Sequence, residues 1–438
     1  MNKKLLWIPV GVVLLIFIIK GIVTPESRYG SNFTAEVPVL EKGKSSSMKK
    51  LELYIDFSKS MRGFIDFSQL PNSYDASGTM KSTITKFLDN VEAEYGIVTK
   101  SICGNKTYDK NQFRKALDNK TIFNSDVTLL QQFIEDKVEY VNDSSVIAIV
   151  SDMVLSYGKD KLLRVEKDTF YNHNQLDALV STIHSAMKKV KTKGCDVILL
   201  QYLSDFNGKY YCNYTENIKG GNAYKNMLMK DRPYYMLLIG MKEDLKNLLA
   251  NECLIKADNV YASFGLDNDF VETSFDIEEK KENNWTKGDD SDGGTGVFWT
   301  TTDLGDYKTV FSISCDSFLI PSYLNANKLH AIGNQYVSNV MFTDGDYDAK
   351  SRTLKFNVQL QSFEKLNRES DIVIDLFCDN SWVKECNLSD DVNQPLDTLK
   401  KRTWEIEKLV NAIDEAFRGR NASSKERVAT FSFGIKIK

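Results

Sequence analysis

Leu51-Glu-Leu-Tyr-Ile-Asp56-Phe-Ser58-Lys-Ser60-Met61 decides how the rest of the chain is read. Leu51, Leu53 and Ile55 recur at every second position, the period of a strand. The run closes on one carboxylate, Asp56, and two hydroxyls, Ser58 and Ser60, spaced two residues apart. Oxygen side chains at the carboxyl end of such a strand lie where open α/β sheets bind their ligands.

Outward from this run, strand-like and helix-like segments alternate. Strand patterns at residues 51–57, 97–103, 146–151, 196–203 and 234–239 are interleaved with helical patterns at 79–94, 127–141 and 174–190. Such alternation predicts a mostly parallel sheet covered by helices. Asn207-Gly208, between two strand-like runs, reads as a hairpin turn added to that scheme. Beyond Cys253 the period changes to two, in runs at 261–264, 270–277, 296–302, 309–314, 337–342, 353–361, 371–377 and 428–437. Those runs predict an antiparallel sandwich, with one helical insertion at 403–417. The expected fold class is α/β: a parallel-sheet domain over residues 49–254, followed by a mainly antiparallel β-sandwich-like domain over 255–438.

Composition narrows the function. A chain of 438 residues exceeds one ordinary core. Its net charge of −4, with Lys and Arg interleaved among Asp and Glu, argues against a nucleic-acid partner. His173, His184 and His330 are the whole histidine supply, and no CxxC pair occurs, which removes zinc ribbons and thioredoxin-like chemistry. Cys378 and Cys386 are spaced so that a local disulfide is open to them in an oxidising compartment. Phosphate-loop glycine patterns are missing, and no histidine lies in a motif near Ser58 to serve as a general base. Asp344-Gly-Asp346-Tyr-Asp348 has the alternating acids of a calcium loop, but Ala349 and Lys355 occupy its sixth and twelfth positions. It reads as a solvated hairpin turn, and residues 289–296 as a loop.

At the N-terminus Lys3 and Lys4 precede an uncharged run over residues 5–19, and Gly21-Ile22-Val23 follows Lys20. Fifteen helical residues reach about 22 Å, so the span needs Lys20 to snorkel and residues 21–23 to extend it. The pattern favours an uncleaved anchor over a signal peptide, since no A-x-A-like site follows. The two lysines place the N-terminus in the cytoplasm, so the expectation is a single-pass membrane protein with extracytoplasmic domains. Residues 1–23 form this anchor and residues 24–48, with two prolines and Gly43-Lys-Ser-Ser-Ser, a spacer.

Asp56-x-Ser58-x-Ser60 at the end of the first strand of an α/β domain resembles the metal-ion-dependent adhesion site of von Willebrand factor type A (vWA) domains. The resemblance covers residues 49–254 and implies a vWA parallel sheet. It also implies a hydroxyl from a second loop and an aspartate after a later strand. Phe123-Asn-Ser125-Asp-Val-Thr128 offers the hydroxyl, with Ser125 favoured and Thr128 the alternative, and Val146-Ile-Ala-Ile-Val-Ser151-Asp152 offers the acid. Ser125 stands where the family has threonine, and Met153 where glycine is common. By resemblance, Ser58, Ser60 and Ser125 or Thr128 would bind the metal directly, with Asp56 and Asp152 holding it chiefly through water. Hard oxygen donors suit Mg2+ or Mn2+. Neutral hydroxyls under-neutralise the cation, so the site would accept a carboxylate from a protein partner. The expected function is a membrane-anchored, metal-dependent protein-binding module and not an enzyme. The alternatives are a metal-assisted hydrolase, or a structural component of a cell-envelope assembly whose motif binds nothing.

Overall fold

The computed structural model of the protein describes residues 33–38, 46–65, 79–125, 128–155, 173–211, 224–250, 253–254, 261–265, 270–278, 285–287, 297–299, 309–316, 329–334, 338–348, 351, 353–361, 369–379, 382–389, 394–418 and 425–437. Two large sheets organise them. Strand β1 (Thr34–Pro38) belongs to the second. The first is built from β2 (Lys50–Ile55), β3 (Lys100–Cys103), β4 (Lys106–Tyr108), β5 (Ser145–Ser151), β6 (Cys195–Tyr211), β7 (Tyr224–Met241) and β8 (Tyr261–Phe264), in the order β4-β3-β2-β5-β7-β6-β8.

Five helices attend this sheet: α1 (Met80–Tyr95), α2 (Lys110–Asp118), α3 (Leu130–Val138), α4 (His173–Thr192) and α5 (Lys242–Ala250). Thr79 caps α1 by accepting from the Ser82 N–H, and Gly96 ends it in the left-handed region at φ 62°. Met80, Ile84, Phe87, Leu88 and Val91 form its buried stripe at helical spacing. Alternate β2 residues serve opposite faces, as the strand period requires. Leu51, Leu53 and Ile55 pack with α1 and α2, and Tyr54 packs with α3 and α4.

The expected parallel vWA-type sheet is corrected here. Only β3-β2 and β2-β5 are parallel pairs; β4, β7, β6 and β8 each join their neighbours antiparallel. The cause is the long β6–β7 hairpin. β7 returns beside β5 and pushes β6 outward, which puts an antiparallel strand where a crossover would have placed a parallel one. Asn207-Gly208 is also not a turn, because β6 runs through it with Asn207 opposite Leu228 and Gly208 opposite Met227. Gly208 is there for close approach: a Cβ on it would come 2.8 Å from Gly63 Cα.

The second sheet adds β9 (Phe270–Glu278), β10 (Trp285–Lys287), β11 (Val297–Trp299), β12 (Thr309–Cys315), β13 (Leu329–Gly333), β14 (Ser338–Asp348), β15 (Thr353–Gln361), β16 (Glu369–Asp379) and, after two short strands considered below, β19 (Lys425–Ile437). β19 pairs with both β1 and β16, so one ladder runs β14-β15-β12-β9-β1-β19-β16-β13. β13 and β14 then lie against each other unpaired, and the sheet curls almost into a barrel. This corrects the expected sandwich. Buried rings fill the curl: Phe275 meets Phe33, Phe431 and Phe433, and Phe311 meets Phe433. Asp344 to Asp348 lie within β14, at a register shift rather than a turn. Residues 289–296 lie outside the described residues.

Two segments cross the expected boundaries. β1, from the expected spacer, is a strand of the second sheet. Conversely α6 (Trp382–Cys386), β17 (Asn387–Leu388), β18 (Thr403–Trp404) and α7 (Ile406–Arg418) return to the first sheet, where Trp404, Ile406, Leu409 and Ile413 pack with Val197, Tyr235 and Leu237. Cys386 is a buried free thiol, so the local disulfide with Cys378 does not form.

The expected single-pass membrane localisation is corrected as well: no helix among the described residues is long and apolar enough to cross a membrane. The run over residues 5–19 on which it rested lies outside the described residues.

Asp244, fully buried in the first turn of α5, fixes the start of the first domain. Its carboxylate accepts from Ser46 Oγ, Ser47 Oγ and the Met48 N–H at 2.8, 2.8 and 2.9 Å. Asp244→Ala removes three hydrogen bonds at once, leaving the Met48 N–H only Ser46 Oγ at 3.0 Å, and is expected to cost about 2 kcal/mol in urea unfolding. A loss below about 0.5 kcal/mol would contradict this role.

Candidate metal site

Asp56 follows β2 directly, and its N–H donates to Val150 O at 2.9 Å, carrying the β2–β5 ladder one step further. The register of Ile55 with Val150 sets Asp56 beside Ser151, the last residue of β5. Ser151 Oγ donates to Asp56 Oδ2 at 2.9 Å and accepts from the Met153 N–H at 3.1 Å. The Ser58 N–H donates to Asp56 Oδ1 at 2.9 Å. Both oxygens of this buried carboxylate are thereby oriented by neutral donors.

Ser58 Oγ lies 2.9 Å from Ser60 Oγ. A second loop is stitched to the first by a parallel bridge between Ser58 and Ser125. In it the Ser125 N–H donates to Phe57 O at 3.0 Å, and the Lys59 N–H donates to Ser125 O at 2.8 Å. Thr128 is buried three residues further on, just ahead of α3. The bridge to the Ser58 loop is made by Ser125.

Asp152, 8% exposed, accepts from the Val154 N–H at 3.2 Å. Burial first, and then the charge of Asp56, push its carboxyl up to about 6; Arg232, the Val154 N–H and Ser60 pull the other way. Met153, where glycine had been the familiar residue, does adopt the left-handed region at φ 56°. Its buried side chain packs with α3 and α4, which offsets a backbone cost of about 1 kcal/mol.

Asp56, Ser58, Ser60, Ser125 and Asp152 therefore meet at the carboxyl ends of two adjacent parallel strands. This is also where strand order reverses: β2 leads through α1 to β3 on one side, while β5 lies on the other. Open sheets form ligand crevices at such points. Sequence reasoning missed Ser151, whose role depends on the register of β2 with β5.

The donor set suits a hard divalent cation. It combines two carboxylates with neutral hydroxyls, a shell compatible with a magnesium ion that keeps several waters. Among the described residues neither Asp56 nor Asp152 is in an ion pair. No group of three or more His, Cys, Asp or Glu gathers among them either, so hydroxyls must complete any shell. Comparison of the chain with family models, with curated proteins and with solved structures finds no match.

Proposed function

We propose that this site binds Mg2+ or Mn2+ and presents it to a carboxylate of a protein partner. The supporting observation is the pair of buried acids, Asp56 and Asp152, lying together without an ion-paired cation and rimmed by Ser58, Ser60 and Ser125. Burying two like charges is costly unless a cation offsets them. Ser58, Ser60 and Ser125 would hold the metal directly, with Asp56 and Asp152 chiefly orienting its waters. Hydroxyls add no charge, so the cation keeps its appetite for an anionic ligand from outside.

Titration calorimetry with Mg2+ and Mn2+ tests this. The wild type is expected to give a saturable signal that a chelator reverses. Ser60→Ala, which removes one hydroxyl while leaving the hydrogen bonds of Asp56 in place, should bind about tenfold more weakly or worse. Equal binding by both, or no binding by the wild type, would sink the reading.

A further inference from the structure

Lys400-Lys401-Arg402, between the turn Leu396–Leu399 and β18, puts three cations in a row, all of them exposed. Their backbone is held from both sides. The Lys400 N–H donates to Asp397 O at 3.2 Å and the Lys401 N–H to Asp231 O at 2.9 Å. From beneath, Arg232 of β7 donates through Nη1 to Leu399 O at 3.3 Å and to Arg402 O at 2.6 Å.

This arrangement gathers like charge at a cost. Arg232 is 1% exposed, its guanidinium stacks 4.6 Å from the centre of the Tyr210 ring, and Nη2 is buried with no hydrogen-bond partner. A fourth cation thus lies buried under the other three. The backbone adds strain, because Asp231, Lys401 and Glu405 stand at φ 61°, 58° and 51°, a region unfavourable to any residue but glycine. Nearby acids offset little of the charge. Lys400 pairs with Asp397 at 3.2 Å, but that acid is 91% exposed and such surface pairs are weak and screened. Asp231 is matched by the exposed Lys230 beside it. Lys401 and Arg402 are in no ion pair among the described residues. Like charges fixed together on a strained backbone suit an anion that arrives from outside.

The run also stands at the site's end of the first sheet. Ser151 closes β5 opposite Tyr235, and β7 runs antiparallel to it, so Arg232 lies three residues, about 10 Å of strand, beyond the carboxyl end of β5. Asp152 leaves β5 at that same end. Across the β6–β7 ladder from Arg232, Ser204 accepts the Met80 N–H at 3.1 Å, at the start of the helix that follows the serine loop.

We propose that Lys400, Lys401 and Arg402 form a docking ridge for an acidic protein segment, one carboxylate of which reaches the metal while its neighbours meet the ridge. The metal half of this rests on the metal-binding reading above; the ridge stands on its own observations.

Fluorescence anisotropy of a labelled polyglutamate peptide on the full chain, in Mg2+ and in chelator, would compare the wild type with the double variant Lys401→Asn, Arg402→Gln. Asparagine tolerates the left-handed region and both side chains are exposed, so the fold is kept. The wild type is expected to bind the peptide in Mg2+, and more weakly in chelator or raised salt. The double variant should bind about tenfold more weakly, with a shallower salt dependence, while its Mg2+ calorimetry stays saturable. Equal peptide binding by the two proteins would overturn the proposal. So would a wild type that takes up Mg2+ and ignores the peptide, or one that binds anionic lipid vesicles but not polyglutamate. Peptide binding that the double variant loses and chelator leaves untouched would uphold the ridge and overturn the metal-binding reading instead.

Discussion

Gly208→Val is expected to destabilise the protein by about 3 kcal/mol and to weaken Mg2+ binding at a site the residue does not touch. A Cβ on Gly208 would meet Gly63 Cα at 2.8 Å and Gly63 N at 3.3 Å. Backbone cannot yield as a flexible side chain can. Gly63 is itself confined, because a Cβ there would fall 2.4 Å from the Phe206 ring. The turn Met61–Phe64 follows Ser60 immediately, and Phe64 anchors it by edge-on packing against Phe206 and Tyr234 at 5.0 and 5.6 Å. Displacing the turn therefore drags Ser58 and Ser60 away from Asp152. Urea unfolding and Mg2+ calorimetry on the one variant should move together. A fully stable Gly208→Val protein would show that the β6 arm does not position the loop.

The same contact explains why Asn207-Gly208 misleads when read alone. Local turn chemistry and tertiary close approach both select glycine, and nothing within the dipeptide separates them. Other features were legible because their causes are local. The alternation of β2, the Thr79 cap and the Gly96 stop lie within their own segments, and α1 at Met80–Tyr95 falls within a residue of the expected helix. Asp56, Ser58 and Ser60 stand in one run at the end of β2, whereas Ser125, Thr128 and Asp152 were set beside them only by the resemblance.

What stayed hidden depends on partners far along the chain. The residues of β7 from Tyr234 to Ile239 are buried on both faces, so they alternate too little to signal strand direction. Parallel and antiparallel placements beside β5 then look alike in sequence. Arg232 finds its acceptors 167 and 170 residues away, at Leu399 and Arg402. The amphipathic pattern of α7 requires a buried face but does not say which sheet supplies it. Period-two runs likewise serve a sandwich and a curled sheet equally, and the choice rests on β19 pairing with β1 and β16 at once.

Asp152→Asn is expected to stabilise the metal-free protein at neutral pH by about 1 to 3 kcal/mol while abolishing Mg2+ binding. The amide keeps the acceptor for the Val154 N–H, so packing is preserved and only charge is lost. In chelator the wild type carries a carboxyl whose folded value, about 6, lies above the ordinary 3.8. The folded state then holds a proton that the unfolded state has already released. By linkage this group's contribution is greatest below about pH 4, falls as pH rises through 6, and is flat above. The variant should lack that fall. Added Mg2+ should reverse the ranking, because it stabilises only a folded protein that binds it. Urea midpoints of the two proteins, measured across a Mg2+ series, are therefore expected to cross. Parallel midpoints would separate the acid pair from metal binding, and a variant less stable than wild type in chelator would show that Asp152 is already compensated. A crossing would mean that these acids weaken the empty fold, and that their burial together is compensated by the ion they hold.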